Sequence, residues 1–252
     1  METDIYDNEG NKSGKIKLPE VFSTVPREDI LGKAFRAITL TLRQPYGSSP
    51  GAGMRQVGHN SGANHGIARL PRVSGSSRGV ILASMVGGRS AHSPRSNKVL
   101  YKKINERERK IAKFSAIAMT ADKEAVKRRG HRFDQELSLP IVINDTVNNV
   151  KKVKEVITLF ENIGIYDDVV RAKEGKKIRA GRGKMRGRRY KEPKSVLVVG
   201  TSTDKLRIFR SLPGVETATP DSLSIRKLAP GGIGGRLVVF TEAAIKKIGE
   251  VQ

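Results

Sequence analysis

The sequence predicts an α/β fold: a mostly parallel central sheet with helices on both faces, plus a long extended basic loop inserted into it. Short, continuous apolar strands alternate with helical patterns from residue 139 onward, as in parallel sheets covered on both faces. Residues 44–96 instead are rich in Gly, Ser, Pro and Asn and show neither helical nor strand periodicity. We therefore expect one globular body of residues 1–43 and 97–252, with the loop of residues 44–96 inserted in it.

The N-terminal part of the body is predicted to form an edge strand followed by a helix. Lys15–Leu18 alternates apolar and basic residues, as expected of an edge strand. Thr24 is a typical N-cap residue, and Pro26 would lie in the first turn of the helix that follows. Apolar residues then recur at helical spacing, so we expect this helix to end near Arg43, before Pro45.

The remainder of the body alternates between helix and strand patterns. Helical periodicity returns at Val99, and a further helix from about Asp122 ends at Gly130. The later elements are, in order, a buried strand at Leu139–Ile143, a helix capped by Asp145 or Thr146 and extending to Ile163, a short helix around Val169, a strand at Ser195–Val199, a helix from Thr203 through Phe209, a short strand at Val215–Thr217, a strand at Arg236–Phe240 and a last helix from Thr241 through Ile248. The connections between such parallel strands are expected to be right-handed.

Almost all of the net positive charge of the chain comes from two stretches. The formal net charge is +23. Ile30–Asn105 contains twelve Lys and Arg residues and no Asp or Glu, and Arg171–Lys194 contains twelve basic residues against two acidic ones. The rest of the chain is therefore nearly neutral. Because dense positive charge repels itself unless a polyanion neutralises it, both stretches indicate a polyanionic partner.

The inserted loop is unusually long for a structureless segment of a compact domain. Extended out and back, it could reach on the order of 80 Å, so we expect a penetrating arm rather than a surface patch. Such a segment can be disordered alone and ordered on its partner. His59, His65 and His92 can stack on bases or contact phosphates. The sequence predicts no metal site here, because the loop contains no Cys and no carboxylate.

The densest cationic run, Arg179–Arg189, lies inside the second basic segment, residues 171–194. Its glycines let backbone approach backbone, and its guanidinium groups can bind phosphates bidentately. This run indicates a second site for the same polyanion.

The sequence contains no pattern that indicates catalysis, and we expect neither a cofactor nor a metal. Gly200 follows an apolar strand and precedes a predicted helix, but no G-x-G-x-x-G and no G-K-[ST] pattern accompanies it. The alternative of a nucleotide-dependent enzyme on a doubly wound sheet would use this turn. A second alternative is a free-standing DNA-binding protein.

The composition also sets expectations about location. Cysteine is absent, which excludes disulfides and thiolate metal sites. No apolar run approaches the roughly 20 residues that a membrane span needs. We therefore expect a cytoplasmic protein with no membrane partner.

Several phrases of the chain resemble those of one family, the large-subunit ribosomal protein four family in its archaeal and eukaryotic form. The resemblance runs from Lys15 to Val251 and is carried by Ala68–Arg72 (ARLPR), Gly87–His92 (GGRSAH), Ser115–Asp122 (SAIAMTAD), Arg129–Arg132 (RGHR), Arg179–Arg186 (RAGRGKMR), Pro213–Ala218 (PGVETA), Leu228–Gly232 (LAPGG) and Thr241–Ala244 (TEAA). One phrase departs: relatives usually have Trp and then Gly-x-Gly-Arg where this chain has Ser61–His65.

This resemblance implies a non-catalytic structural constituent of the large ribosomal subunit, whose loop penetrates rRNA and supports subunit assembly. Implied partners are large-subunit rRNA, neighbouring large-subunit proteins and the nascent peptide in the exit tunnel. Candidate rRNA-binding residues are Arg43, Arg55, His59, Arg69, Arg72, Arg78, Arg89, His92, Arg95 and Lys98 in and beside the loop, and Arg179, Arg182, Lys184, Arg186, Arg188 and Arg189 in the second segment. The implied tunnel-lining tip comprises His65, Gly66, Arg69, Leu70, Pro71, Arg72, Val73 and Arg78.

Overall fold

The computed structural model describes residues 1–250 and divides into two compact units. One unit combines Met1–Thr39 with the chain from Lys103 onward, and we call it the body. The other is Leu40–Lys102, which we call the arm unit. The arm unit begins and ends a few residues outside the loop expected from composition, because short flanking stretches fold with it.

A six-stranded sheet forms the centre of the body. Its strands are β1 (Glu2–Tyr6), β2 (Lys12–Lys17), β3 (Ile141–Ile143), β6 (Leu197–Val199), β7 (Glu216–Ala218) and β8 (Val238–Thr241), in the order β2-β1-β3-β8-β6-β7. Every neighbouring pair is parallel except the antiparallel pair of β1 with the edge strand β2. The prediction of a mostly parallel sheet is confirmed.

Helices bury both faces of this sheet. They are α1 (Glu28–Thr41), α2 (Glu106–Ala118), α3 (Lys123–Arg128), α4 (Val153–Ile163), α5 (Tyr166–Glu174), α6 (Ile225–Leu228) and α7 (Glu242–Glu250). Side chains alternate along each strand, so Val142 and Phe240 face the cluster that contains α1, α2, α6 and α7, whereas Ile141 and Val239 face the cluster of α4 and α5. This alternation gives the body two apolar cores, one on each side of the sheet.

The N-terminal strand β1 was not predicted, because its sequence is polar and acidic. Thr3 is nevertheless buried, and its hydroxyl donates to the carbonyl oxygen of Pro140 at 3.0 Å. Tyr6 is buried in the core beside α4. The strand thus meets the core through Thr3 and Tyr6, which form no recognisable apolar run in the sequence.

Two predicted helix starts were wrong. The first helix begins at Glu28, since Thr24 is extended and the residue before Pro26 is disfavoured in a helix. The helix expected to begin at Val99 starts at Glu106, where the side chain of Asn105 accepts from the amide of Arg107 at 3.0 Å. An N-cap side chain, and not apolar spacing alone, therefore determines the start of α2.

Two other predicted helices were also wrong in form. The expected helix from Asp145 is split into a 3₁₀ helix, Asp145–Asn149, and α4. The Asp145 carboxylate accepts from the amide of Ala243 at 3.2 Å, so it caps α7 instead of its own segment. After Thr203 the chain forms turns and a 3₁₀ helix, Arg207–Ser211, not an α-helix.

Candidate nucleic-acid interface

The arm unit consists of two chain runs that lie against each other and meet at glycines. The amide of Ser48 donates to the carbonyl oxygen of Pro94 at 3.0 Å. A Cβ on Gly53 would lie 2.7 Å from the Cα of Arg89 in the other run. Within one run, a Cβ on Gly88 would lie 2.3 Å from the carbonyl oxygen of Leu82. Both distances are shorter than real Cβ contacts, so only glycine allows the backbones to approach this closely.

Arg72 organises the far part of the arm. Its backbone forms antiparallel bridges to His59 on one side and to Gly79 on the other. Its guanidinium donates to the carbonyl oxygen of Ser77 at 3.1 Å and to that of Ala68 at 3.5 Å. Arg72 is one of the candidate rRNA-binding residues; it is half-buried, and its side chain also binds backbone of its own loop.

The remaining predicted cations and histidines of the arm are exposed: Arg43, Arg55, His59, His65, Arg69, Arg78, Arg89, His92, Arg95 and Lys98. Arg69 and Arg78 flank Arg72 within the tip expected from the family resemblance. Because the arm contains no carboxylate, its cations have no acidic partner within the unit. They form an exposed surface of one charge sign, which attracts polyanions.

The arm unit has almost no apolar core of its own. Among its residues, Pro71 alone is buried, while Leu70 and Val73 beside it are exposed. Further exposed apolar side chains are Tyr46, Met54, Val57, Ile67, Ile81, Met85 and Val86. A segment that buries so little apolar surface gains little free energy from folding alone, which favours ordering against a partner.

The second basic segment forms a two-stranded hairpin after the end of α5. Strand β4 (Lys177–Ile178) pairs antiparallel with β5 (Tyr190–Lys191), and a 3₁₀ helix, Arg182–Met185, lies between them. The guanidinium of Arg179 donates to the carbonyl oxygen of Arg188 at 3.0 Å and joins the two sides. Arg179, a candidate rRNA-binding residue, is half-buried and also stabilises the hairpin.

The other predicted cations of the hairpin are all exposed: Arg182, Lys184, Arg186, Arg188 and Arg189. The ring of Tyr190 is also exposed, with Lys176 Nζ 5.2 Å and the Arg189 guanidinium 5.7 Å from its centroid. The hairpin therefore presents a second cationic surface built on a fixed backbone.

A buried polar cluster lies in the body, centred on Asp168. Its carboxylate accepts from His131 Nδ1 at 2.9 Å, from the Ser195 hydroxyl at 2.9 Å and from Arg171 Nε at 2.8 Å. Burial opposes ionisation of Asp168, but these donors outweigh it and lower its pKa to about 2. Burial also lowers the pKa of His131, and the hydrogen bond to Asp168 offsets this only in part.

This cluster was missed by sequence reasoning because its members are far apart in the chain. It contains the residue types of a hydrolase triad, but in the wrong arrangement. The Ser195 hydroxyl donates to Asp168 and not to His131, and His131 Nε2 is buried with no hydrogen-bond partner in residues 1–250. No base is placed to activate the serine, so the geometry indicates a structural role.

Arg236 forms a second buried ion pair nearby. Its side chain is fully buried; NH1 donates to Glu216 Oε2 at 2.6 Å and to the Lys227 carbonyl oxygen at 2.7 Å, and Nε donates to the Ser195 carbonyl oxygen at 3.0 Å. Glu216 also pairs with Lys194. These bonds connect β6, β7, β8 and α6, so the pair stabilises one edge of the sheet.

The Gly200 turn offers no room for a nucleotide phosphate. A Cβ on Gly200 would lie 2.8 Å from Leu206 Cδ1 and 3.3 Å from Thr241 Cγ2. The turn is therefore filled by side chains of the body. Within residues 1–250 no group of three His, Cys, Asp or Glu side chains could hold a metal ion. In the same part of the chain, no helix combines the length and apolarity needed to cross a bilayer.

Comparison with known proteins supplies the decisive observation. The model of the ribosomal protein L4/L1 family matches residues 16–251, which is most of the chain. The chain belongs to the ribosomal protein L4/L1 family. The resemblance of the sequence phrases is thus confirmed, and so is the expectation of a ribosomal protein rather than an enzyme. Neither the nucleotide-dependent enzyme nor the free-standing DNA-binding protein is supported.

Close archaeal relatives carry the same family identity. The protein of Thermoplasma volcanium named large ribosomal subunit protein uL4 is 62% identical over 246 residues, covering 98% of this chain and 96% of the relative. The protein of the same name from Thermoplasma acidophilum is 62% identical over 98% of this chain and 97% of its own length. That of Methanocaldococcus jannaschii is 45% identical over 99% of both chains. The similarity to these relatives therefore extends over the arm, the hairpin and the body.

Proposed function

We propose that this chain is a structural constituent of the large ribosomal subunit that binds rRNA through the arm and the hairpin and supports subunit assembly. The observation that carries the proposal is the acid-free arm, which exposes cations along its whole length in a member of a ribosomal protein family. The body, Met1–Thr39 with the chain from Lys103 onward, remains outside the RNA as a folded anchor. Its neighbours in the cytoplasmic ribosome are other large-subunit proteins.

The exposed surface of the arm supports its penetration into RNA. It exposes both cations and apolar side chains and buries only Pro71. RNA supplies phosphates for the cations and base and sugar surface for the apolar groups. Residues 44–96 and the second segment, 171–194, then act as two separate cationic elements that neutralise phosphates of one folded RNA.

The tip of the arm is proposed to line part of the nascent-peptide exit tunnel. Its residues are His65, Gly66, Arg69, Leu70, Pro71, Arg72, Val73 and Arg78. Arg72 holds the tip by binding Ser77 and Ala68 backbone, which leaves Arg69 and Leu70 exposed at the surface. The tip thus combines one fixed turn with cationic and apolar groups that a passing peptide can meet.

The direct test of rRNA binding is its salt dependence. Each phosphate contact contributes about 0.7 to 0.9 to the slope of log affinity against log salt. Replacing Arg182, Lys184, Arg186 and Arg188 with Gln should weaken binding to a large-subunit rRNA transcript and lower the slope by roughly 2 to 4. Matched Lys151→Gln and Lys152→Gln changes on the body should leave the slope nearly unchanged. A wild-type slope near zero would contradict the proposal.

The tip is tested separately in cells. Arg69→Glu with Arg72→Glu should impair subunit assembly or tunnel function more than Lys151→Glu with Lys152→Glu. Subunit profiles by sucrose gradient and the stalling of a reporter nascent chain provide the readouts. Equal growth and equal profiles for the two pairs would refute the role of the tip.

A further inference from the structure

The exposed aromatic rings of this chain are not scattered over its surface. In residues 1–250, the Tyr or Phe side chains that are exposed are Tyr46 (70%), Tyr101 (56%) and Tyr190 (52%). The first two lie in the arm unit and the third in the cationic hairpin. Every Phe is buried or half-buried in the body. This placement pairs each exposed ring with a cationic segment.

Tyr46 differs from the other two because it lines a small concavity at the root of the arm. The cavity measures about 130 Å³ and is lined by Arg43, Pro45, Tyr46, Pro94, Lys98 and Leu100. The hydrogen bond from Ser48 to Pro94 brings the two chain runs together here. Two prolines and a leucine give the cavity stiff apolar walls, while the ring of Tyr46 forms an accessible face.

The charges at the rim of this cavity are of one sign. Arg43 and Lys98 are exposed, and neither forms an ion pair within residues 1–250. Since Ile30–Asn105 contains no Asp or Glu, no local carboxylate neutralises them. An apolar slot with an aromatic face and two free cations complements a flat, uncharged ring attached to a polyanionic backbone.

We propose that this cavity binds one unpaired nucleobase of RNA, which stacks on Tyr46 while Arg43 and Lys98 contact the flanking phosphates. The proposal rests on the proposed rRNA binding and adds a base-stacking site to it. Stacking of unpaired bases on aromatic rings is a general mode of RNA recognition and is tolerant of sequence. Tyr190, whose ring already has Lys176 and Arg189 above it, is less available for this role.

The test compares variants of the full chain binding a large-subunit rRNA transcript at several salt concentrations. Tyr46→Leu removes the ring and should weaken binding about 5- to 150-fold with the salt slope unchanged. Tyr46→Phe keeps the ring and should bind like the wild type. Arg43→Gln with Lys98→Gln should lower the slope by about 1.5. Tyr101→Leu is the matched control, an exposed ring of the same unit outside the cavity.

The outcomes separate this site from rRNA binding as a whole. If wild type binds with a steep salt slope but Tyr46→Leu binds equally well, the stacking site is refuted and rRNA binding stands. If Tyr101→Leu weakened binding of the transcript as much as Tyr46→Leu, the assignment of the stacking site to this cavity would be refuted. A wild type that does not bind the transcript would contradict the proposed function itself. Thermal unfolding is measured for each variant. The midpoints should match that of the wild type because these side chains are exposed. A match excludes misfolding as the cause of weaker binding.

Discussion

His131 Nδ1 lies 2.9 Å from Asp168 Oδ2, and both side chains are almost completely buried. Since a carboxylate only accepts hydrogen bonds, Nδ1 of His131 carries a proton in this pair. The pKa of Asp168 is lowered to about 2, and burial lowers that of His131 below its ordinary value of 6.5. Both shifts make the stability of the body depend on pH.

The first prediction is a loss of stability on acidification in two stages. The unfolded chain binds a proton at His131 near pH 6.5 that the folded chain does not bind, so stability falls as the pH drops below that value. Asp168 stabilises the fold above about pH 4, and this contribution is lost as the pH falls toward 2. Urea unfolding between pH 8 and pH 3 measures both stages.

His131→Asn is the variant that isolates the first stage. The Asn side-chain amide can donate to Asp168 from nearly the position of Nδ1 but does not titrate. We expect this variant to lose the stability change between pH 7 and pH 5 and to keep the change below pH 4. An unaltered pH profile would show that His131 is not the group responsible.

The second prediction concerns the ion pair of the fully buried Arg236 with the half-buried Glu216. Arg236→Met leaves Glu216 paired with Lys194, but it removes the donor to the carbonyl oxygens of Ser195 and Lys227. Since a buried acceptor left without its donor costs about 1 to 3 kcal/mol, we expect the free energy of unfolding to fall by about 2 kcal/mol. Arg226→Met, at an exposed position of α6, should cost less than about 0.5 kcal/mol. Similar unfolding free energies for the two variants would contradict this role.

The third prediction concerns the close contact of Gly88 with Leu82 and Ala83 in the local turn that precedes it. A Cβ there would lie 2.3 Å from the Leu82 carbonyl oxygen and 2.7 Å from that of Ala83, both of which are backbone atoms that must move. Gly88→Ala should therefore distort the arm and weaken rRNA binding by roughly tenfold, as an overpacking cost of 1 to 3 kcal/mol implies.

The matched control for that variant is Gly51→Ala. The nearest atom to a Cβ on Gly51 is Arg55 Nε at 3.8 Å, an ordinary contact with a flexible side chain. We expect it to bind rRNA like the wild type. Urea unfolding of the body should be the same for both variants. If both variants bound rRNA equally well, the close approach at Gly88 would not be required for binding.

The fourth prediction is that the body folds without the arm. Gly47 lies beside Arg95 and Ser96, so the cut ends are adjacent and residues 47–95 can be replaced by Gly-Gly. Because the arm buries only Pro71, the thermal midpoint should change by less than about 4 °C, equivalent to roughly 1 kcal/mol. Loss of the cooperative transition would show that residues 1–43 and 97–252 are not an independent body.

The sequence was sufficient for the strands of the sheet interior and for the existence of most helices, but not for where those helices begin. Runs such as Ile141–Ile143 and Leu197–Val199 are short, apolar and β-branched, which leaves few alternatives to a buried strand. It was not sufficient where a residue acts on a distant segment. Asp145 looks like an N-cap of its own helix, but its bond is to Ala243, almost one hundred residues away.

The same difficulty applies to the interface. Charge density located the arm and the hairpin, because carboxylates are absent or nearly absent there. Charge density could not distinguish an arginine that faces solvent, such as Arg69, from one whose guanidinium binds carbonyl oxygens of its own loop, such as Arg72 or Arg179. Whether an arginine faces solvent or binds its own loop depends on the backbone conformation around it. A hydropathy pattern does not contain that conformation.

The adjacency of Gly47 and Ser96 also affects when this protein can join the RNA during assembly of the large subunit. An arm whose two ends leave and return at one place is a closed loop and has no free end to thread. It can enter a narrow opening only as a doubled strand, attached at its root to a folded body. We therefore expect this protein to associate while the surrounding RNA is still open, so that the RNA closes around the arm afterwards.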